Sequence, residues 1–250
     1  MGTEYSPACC STPAAVVEEY TPRGSFLDVN GFQIYRTGPL TAKKAIIHVY
    51  DIFGYTNQTF RGADILSTQG KEPYLVLMPD IIGSHKAAKL EWFELGADKQ
   101  PLHDLIADVT SKEKMGLIAQ VVDMLQSDPN YAHVQRWAGA GFCWGAKGLS
   151  LIAANLGKPR LDVLALTSPS RLDPEDAKSI TIPTMVLDSQ GEEEQTIRDF
   201  VANLTGVKYR ERFDEIHGWM SARAKLDLER PRKEYERGYE LMLDFLQKHL

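Results

Sequence analysis

A glycine-rich run at residues 139–148, GAGFCWGAKG, limits the folds open to this chain more than any other feature. Residues 134–138 before it predict a short strand, and residues 149–156 after it predict a helix that ends at Gly157. Glycines two residues before and two residues after Cys143 permit the close backbone approach that a sharp strand-to-helix turn requires. The sequence therefore predicts an elbow with a thiol at its tip.

The rest of the chain alternates strand-like and helix-like segments around this elbow. Alternating residues from Gly24 to Arg36, with Asn30-Gly31 at the centre, predict a β-hairpin. Apolar runs predict buried strands at residues 45–50 and 74–79, and further short strands are predicted at residues 163–167, 184–187 and 208–213. Helices are predicted at residues 57–69, 197–204 and 232–250, and over residues 86–127 with a break at 96–101.

This order of elements predicts the fold class. Strands that alternate with helices form a mostly parallel sheet that is covered on both faces. At 250 residues the chain is long enough for one such domain and short for two. We therefore expect a three-layer α/β/α sandwich over residues 24–250, preceded by an arm over residues 1–23. Its ligands should bind at the carboxyl ends of the strands.

Composition narrows the expected partners. The apolar fraction of 43% and the charged fraction of 25% are ordinary for a soluble globular protein. A net charge of −6 disfavours nucleic acid and anionic membranes as partners. No apolar run reaches the ~18 residues of a membrane span, and residues 1–20 lack the basic and apolar regions of a signal peptide. We expect no membrane association.

The cysteine pattern indicates the compartment. The three cysteines are Cys9, Cys10 and Cys143. An odd number with two adjacent argues against a disulfide framework and for a reducing compartment, so a cytoplasmic location is expected. No further ligands lie near Cys9-Cys10 at a spacing typical of metal sites, so we expect these two in a flexible arm that packs on the domain.

Cys143 is the candidate nucleophile. The helix after the elbow directs its positive dipole end at the thiol, which favours the thiolate; the alternative is a buried structural cysteine. A nucleophile needs a base, and in α/β-hydrolases the histidine comes last in the chain. Of the six histidines, only His217 and His249 follow Cys143, and His249 ends the closing helix. His217, in a short loop after a strand, is therefore the candidate base, unless it is only a surface residue.

The acid that orients the histidine should follow the strand at residues 184–187. The sequence there is DSQGEEE, and a run of charges is usually a solvated face. Asp188 is close enough to the strand to be buried, whereas the glutamates are better placed to bend back across the loop. Spacing alone leaves the acid open.

Taken together, these motifs resemble the dienelactone hydrolase family, and most closely its fungal members with a Cys-Cys arm. The resemblance rests on the elbow, on Asp51-Ile52-Phe53-Gly54, on Pro79-Asp80 and on His217-Gly218-Trp219, and extends from about residue 24 to the C-terminus. It implies an α/β-hydrolase fold and a cysteine–aspartate–histidine triad. It further implies that lactones or esters are opened through an acyl-thiol intermediate without a metal or organic cofactor.

The resemblance also implies roles for individual residues. Cys143 would be the nucleophile and His217 the base, and the backbone N–H groups of Ile52 and Trp144 would form the oxyanion hole. Asp51 stands where the family has a glutamate that hydrogen-bonds the resting thiol, and it is one methylene shorter.

The resemblance supplies a choice of acid as well. The family's acid follows a strand that begins at a proline, and counting from Pro183 leads to Glu192. Asp188 and Glu193 are the reserves. Arg223 lies near, but offset from, one of the family's substrate-carboxylate arginines, so the substrate need not be that of the family's type enzyme.

Aromatic residues are expected to shape the substrate site. The residues proposed for this wall are Phe53, Tyr55, Trp144 and Trp219, and Trp92 and Phe93 lie in a predicted lid at residues 84–115. The same side chains are also typical of a core. The expected partner is a small lactone or ester, and both a monomer and a homodimer remain open.

Three other functions remain open. A thiol enzyme of the DJ-1 or glutamine-amidotransferase type also carries an elbow cysteine, but its histidine lies close to that cysteine in sequence. A catalytically silent binding protein would have kept the fold but lost the carboxylate that orients the histidine. A lyase, isomerase or cyclase of secondary metabolism would use the same site, because fold and triad do not fix the substrate.

Overall fold

The computed structural model describes residues 11–155 and 159–250. The strands are β1 (Ser25–Val29), β2 (Phe32–Thr37), β3 (Lys44–Val49), β4 (Leu75–Pro79), β5 (Arg136–Phe142), β6 (Val163–Thr167), β7 (Thr184–Asp188) and β8 (Lys208–Arg212). The α-helices are α1 (Asn57–Thr68), α2 (Gln100–Val109), α3 (Lys112–Ser127), α4 (Trp144–Ala154), α5 (Pro174–Ala177), α6 (Glu194–Asn203) and α7 (Glu229–His249). Short 3₁₀ turns occur at Leu90–Phe93 and Pro129–Tyr131.

The eight strands form one sheet in the order β1-β2-β4-β3-β5-β6-β7-β8. Strand β2 pairs antiparallel with β1 and with β4, and the other pairs are parallel. The predicted hairpin is confirmed, with positive φ at Asn30 (51°) and Gly31 (83°). The predicted α/β sandwich with a mostly parallel sheet is confirmed.

Three segments differ from the sequence-based prediction. Strand β5 runs from Arg136 to Phe142, so it continues through the first glycines of the run instead of ending at residue 138. The helical region 86–127 is divided into a 3₁₀ turn and the helices α2 and α3, because Gly96 and the turn at residues 110–111 interrupt it. Helix α4 begins at Trp144, five residues earlier than predicted. Its first turn is rich in glycine, which disfavours a helix locally, but this turn is buried against the sheet and tertiary packing overrides the propensity. The predicted end of this helix, at residues 156 and 157, lies outside the described residues.

The described part of the arm packs along the domain. The Ala15 N–H donates to the Ala222 carbonyl at 2.9 Å, and the Tyr20 hydroxyl donates to Asp64 at 2.7 Å. Cys9 and Cys10, predicted for the same arm, lie outside the described residues. The boundary at residue 23 stays a prediction.

The elbow is a close junction between β3, β5 and α4. Cys143 has φ 55° and ψ −118°, a conformation that residues with side chains rarely adopt. A Cβ atom at Gly141 would lie 2.7 Å from the Ala146 Cα, and one at Gly145 would overlap the Val49 carbonyl oxygen. The two glycines are therefore required by the approach of the backbone on each side of the cysteine.

No helix within residues 11–155 and 159–250 is both long and apolar enough to cross a bilayer.

Replacement of Gly145 by Ala should lower the free energy of unfolding by about 1–3 kcal/mol, because the new methyl group meets a carbonyl fixed in β3. Gly116→Ala is the matched control, since a Cβ atom there has no neighbour within 4 Å. It should gain about 0.5–1 kcal/mol from helix propensity. Urea unfolding measures both, and wild-type stability of Gly145→Ala would contradict this packing.

Candidate active site

The thiol of Cys143 lies at the N-terminus of α4 and at the carboxyl edge of the sheet. Its side chain is only 1% exposed. The Cys143 N–H donates to the Thr167 carbonyl at 3.2 Å, and the Cys143 carbonyl accepts from the Ser170 N–H at 3.1 Å. The end of β6 therefore fixes the elbow, and the positive end of the 11-residue helix α4 is directed at the sulfur.

His217 and Glu192 lie together beside this elbow. Nδ1 of His217 and Oε1 of Glu192 are 2.6 Å apart, and both side chains are buried. Glu192 is itself fixed by Ser189, whose backbone N–H donates to one carboxylate oxygen and whose hydroxyl donates to the other at 3.1 Å. The carboxylate therefore sets the orientation of the imidazole ring.

Cys143 and Glu192 together make His217 basic. Burial alone lowers the pKa of His217, but the negative charge of Cys143, a hydrogen bond with it and the contact with Glu192 outweigh burial and raise the pKa to about 10. Nε2, on the other side of the ring from Glu192, is buried and has no nitrogen or oxygen partner among the described residues. A negative charge on Cys143 therefore stabilises the imidazolium form of His217.

Asp188 and Glu193, the two alternative candidates for the orienting acid, bind other groups. Asp188 is fully buried and binds Arg210 through two hydrogen bonds of 2.8 Å, and Arg212 through a third. Glu193 is the N-cap of α6, where it accepts from backbone N–H groups of the first turn. Of the three candidates, Glu192 alone contacts His217 within the described part of the chain. The geometry favours it as the orienting acid, a role that stays a prediction.

Two backbone N–H groups at the elbow are available for an oxyanion. Ile52 follows β3; its carbonyl accepts from the Ala88 N–H at 2.9 Å, but its own N–H has no partner among the described residues. Trp144 is the first residue of α4, so its N–H precedes the first donor that reaches a carbonyl within the helix. Both groups were predicted as the oxyanion hole, and that role stays a prediction.

Asp51 links the loop after β3 to the loop of His217. Its carboxylate accepts from the Ser221 hydroxyl at 2.6 Å, from the Ala222 N–H at 3.1 Å and from the Phe53 N–H at 2.9 Å. Burial, above all, raises the pKa of Asp51; the Ser221 hydrogen bond lowers it, and the charge of Cys143 raises it further. The charge of Cys143 therefore acts on the Asp51 carboxylate, whose oxygens accept hydrogen bonds from Ser221, Ala222 and Phe53.

Arg223 lies buried beneath the arm. Its Nε donates to the Thr12 carbonyl at 2.6 Å, and its guanidinium lies 5.0 Å above the ring of Phe53. The Phe53 ring in turn lies 5.5 Å from the ring of Phe93, in the predicted lid. Arg223, Phe53 and the lid thus meet close to Asp51, whose pKa the arginine charge lowers.

The other predicted aromatic residues pack elsewhere. Tyr55 donates its hydroxyl to the Met78 carbonyl at 2.7 Å, and its ring lies 5.2 Å from that of Phe60. Trp219 is stacked on Phe213 at 4.1 Å. Trp92 is half-buried in the 3₁₀ turn of the predicted lid. For Tyr55 and Trp219 these contacts are those of core packing, and a part in substrate binding stays a prediction for all three.

Three serines that the sequence analysis missed hold the site together. Ser168, at φ 40°, accepts the Gly218 N–H on its hydroxyl at 3.0 Å. Ser170 donates to the elbow and Ser221 to Asp51. The polar run that contains the first two directly follows a buried strand, and this position at the carboxyl edge of the sheet was the signal available in the sequence.

His48, also buried, lies below the elbow and is stacked on Phe142 at 4.6 Å. Burial lowers the pKa of His48 to about 3, so the ring is neutral and forms part of the core. Histidine, cysteine and carboxylate side chains within the described ranges form no group of three or more that could hold a metal ion.

A family model supplies the identification. The model of the dienelactone hydrolase family matches residues 32–250, which is most of the chain. The chain belongs to the dienelactone hydrolase family. The resemblance stated from the elbow and the His-Gly-Trp motif is confirmed.

Two relatives and several solved structures resemble the chain over most of its length. Two uncharacterized AIM2 family proteins of Schizosaccharomyces pombe are each 28% identical over 254 residues, covering 96% of this chain and 98% of theirs. The dienelactone hydrolase of Anabaena variabilis has a TM-score of 0.65 at 12% identity, over 91% of this chain and 97% of that one. An esterase of Pyrococcus furiosus has a TM-score of 0.61 at 14% identity, over 95% and 98%. These structures show that the chain has the α/β-hydrolase fold, as expected from the sequence.

Loss of the Glu192 charge should lower the pKa of His217. In wild-type protein, His217 should remain protonated at about pH 8, where an ordinary histidine with a pKa of about 6.5 is neutral. In Glu192→Gln the amide provides no negative charge, so the ring should lose its proton at a lower pH. Nitrogen-15 NMR of labelled histidine measures this titration.

Glu193→Gln is the matched control, because it removes a neighbouring carboxylate that caps α6 and does not contact the ring. It should leave the His217 titration unchanged. Identical titrations in Glu192→Gln and wild-type protein would show that the 2.6 Å contact does not set the basicity of the ring.

Proposed function

We propose that this protein is a cysteine-dependent hydrolase that opens a small lactone or cleaves a small ester through an acyl-thiol intermediate. Membership of the dienelactone hydrolase family supports a hydrolytic role. One observation carries the proposal: buried His217 is hydrogen-bonded to Glu192, and the negative charge of Cys143 raises the pKa of the ring. Cys143 itself lies on a strained elbow at a helix N-terminus.

In the first half of the reaction, the Cys143 thiolate attacks the carbonyl carbon. A sulfur–carbon bond forms, and the electron pair of the C=O bond moves onto oxygen, where the N–H groups of Ile52 and Trp144 donate to it. The oxyanion then collapses, the carbon–oxygen bond to the leaving group breaks, and the His217 imidazolium gives its proton to the departing alkoxide. One N–H group of an oxyanion hole typically contributes a factor of roughly 10²–10³ to the rate.

In the second half, water cleaves the thioester. Neutral His217 takes a proton from the water as the water oxygen attacks the carbonyl carbon, and the same two N–H groups donate to the second oxyanion. Collapse releases the carboxylic acid and returns the thiolate beside an imidazolium. Through both halves of the reaction, Glu192 keeps Nδ1 protonated and holds the ring in place. Every proton transfer to or from His217 therefore takes place at Nε2.

The contacts of the site weigh against two of the alternatives. Glu192 lies 2.6 Å from His217, whereas a silent binding protein would be expected to lack a carboxylate in contact with the histidine. His217 reaches the thiol from beyond β8, unlike the histidine of the DJ-1 type. The substrate is taken to be a small molecule in the cytoplasm, where a free thiol stays reduced.

Replacement of Cys143 by Ala should lower hydrolysis of p-nitrophenyl acetate and of dihydrocoumarin by at least about 10³-fold, because the acyl acceptor is lost. Rapid acid quenching followed by mass spectrometry should find an acetyl group on the peptide that contains Cys143. The parent for both measurements is Cys9→Ser/Cys10→Ser, so that a single thiol remains.

The parent variant Cys9→Ser/Cys10→Ser should keep wild-type rates of hydrolysis, since Cys9 and Cys10 have no part in the proposed chemistry. Wild-type rates in Cys143→Ala, or acetyl groups that accumulate only on other residues, would contradict the proposal.

A further inference from the structure

A cleft lies between helices α3 and α4, beside the elbow. Its volume is about 400 Å³, which is within the range of small-molecule sites. Trp144 and Ser170 line it, whereas Cys143 and His217 do not. The cleft therefore adjoins the candidate active site and shares Trp144 with it, but it contains neither the thiol nor the imidazole of the proposed reaction.

The floor of the cleft is apolar, and a missing side chain keeps it open. Its apolar lining includes Met115, Ala119, Leu151 and Ile152. Glycine inside a helix costs roughly 0.5–1 kcal/mol relative to alanine. At Gly148 the contact with Ile118 explains that cost, because a Cβ atom would overlap the isoleucine. At Gly116, which also lines the cleft, a Cβ atom would meet nothing within 4 Å. The absent side chain there leaves volume free for a ligand.

The rim of the cleft is positively charged. Lys112, Lys147 and Arg171 line it, and no acidic residue does so among the described lining residues. Lys147 pairs with Asp176 at 2.6 Å. The side chains of Lys112 and Arg171 make no ion pair or hydrogen bond to any residue in the described ranges, so both charges face solvent unpaired.

These charges lie at one end of the cleft. Lys112 is the first residue of α3 and Trp144 the first of α4, and both helices start at the carboxyl edge of the sheet. Arg171 follows Ser170, whose N–H donates to the elbow, and it is held at φ 55°. The helix N-termini add partial positive charge at the same end. From there the apolar floor runs along the two helices toward Asn155.

We propose that this cleft binds a medium-chain aliphatic carboxylate. The carboxylate contacts Lys112 and Arg171, and the alkyl chain lies along Met115, Ala119 and Leu151. A neutral lipid would leave both cations unpaired, and a short anion would leave the apolar floor in water. Only a ligand with both parts matches the charge and the surface of the cleft. Binding does not depend on chemistry at the thiol.

Isothermal calorimetry with octanoate, octanol and acetate tests this ligand class on the full chain. Octanoate should bind, octanol should bind more weakly, and acetate should not bind measurably. Cys143→Ala should bind octanoate as wild-type protein does, so that the site is tested separately from hydrolysis.

Gly116→Leu should weaken octanoate binding by at least about tenfold, because the new side chain fills the cleft. Its melting temperature should equal or exceed that of wild-type protein, since leucine favours a helix over glycine. Gly116→Ala adds one methyl group and should stay within about threefold of wild-type affinity.

Arg171→Gln should weaken octanoate by about threefold and leave octanol unchanged, as expected for an exposed charge pair. Lys43→Gln is the matched control, because it removes an exposed positive charge next to the first residue of β3, at the opposite edge of the sheet. Equal affinity of wild-type protein for octanoate and octanol would overturn the proposal. Wild-type binding by folded Gly116→Leu would do the same.

Discussion

The backbone at Cys143 takes a conformation that is unfavourable for any residue with a side chain, and the site is assembled around it. Such a conformation costs about 1–3 kcal/mol and persists only where the surroundings enforce it. Here Gly141 and Gly145 let β5, α4 and β3 approach within contact, while Thr167 and Ser170 bind the backbone of the cysteine itself. The consequence is chemical, since the turn that strains the backbone also directs the start of α4 at the sulfur.

The histidine reaches this elbow from a distant part of the chain, and its loop is tied to two neighbouring loops. Ser168 binds the residue after His217, and Asp51 binds Ser221 and Ala222. Burial makes these bonds demanding, because a buried polar group without a partner is costly. It also makes the charges interact strongly: the negative charge of Cys143 raises the pKa of both His217 and Asp51. Hydrogen bonds that fix the loop therefore also hold the groups that set the electrostatics.

The sequence sufficed for the parts of the structure that local pattern determines. Continuous apolar runs located the buried strands, and glycine spacing located the elbow. The acid was different, because the residues alone left three carboxylates within six residues open, and only the family resemblance, counted from Pro183, led to Glu192. The tertiary contacts favour the same residue, because Asp188 is bound by Arg210 and Arg212 on the adjacent strand and Glu193 caps a helix, whereas Glu192 contacts His217. The apolar-aromatic pattern likewise could not separate a binding wall from core packing.

The central claim is that His217 holds the sulfur of Cys143 as a thiolate. The most direct measurement is the pH dependence of alkylation of Cys143 by iodoacetamide in Cys9→Ser/Cys10→Ser, with and without His217→Ala. The rate should keep its plateau well below pH ~8.5, the ordinary value for cysteine, and the inflection should move up to ~8.5 or higher without the imidazole. An inflection at ~8.5 that is the same in both proteins would contradict the account.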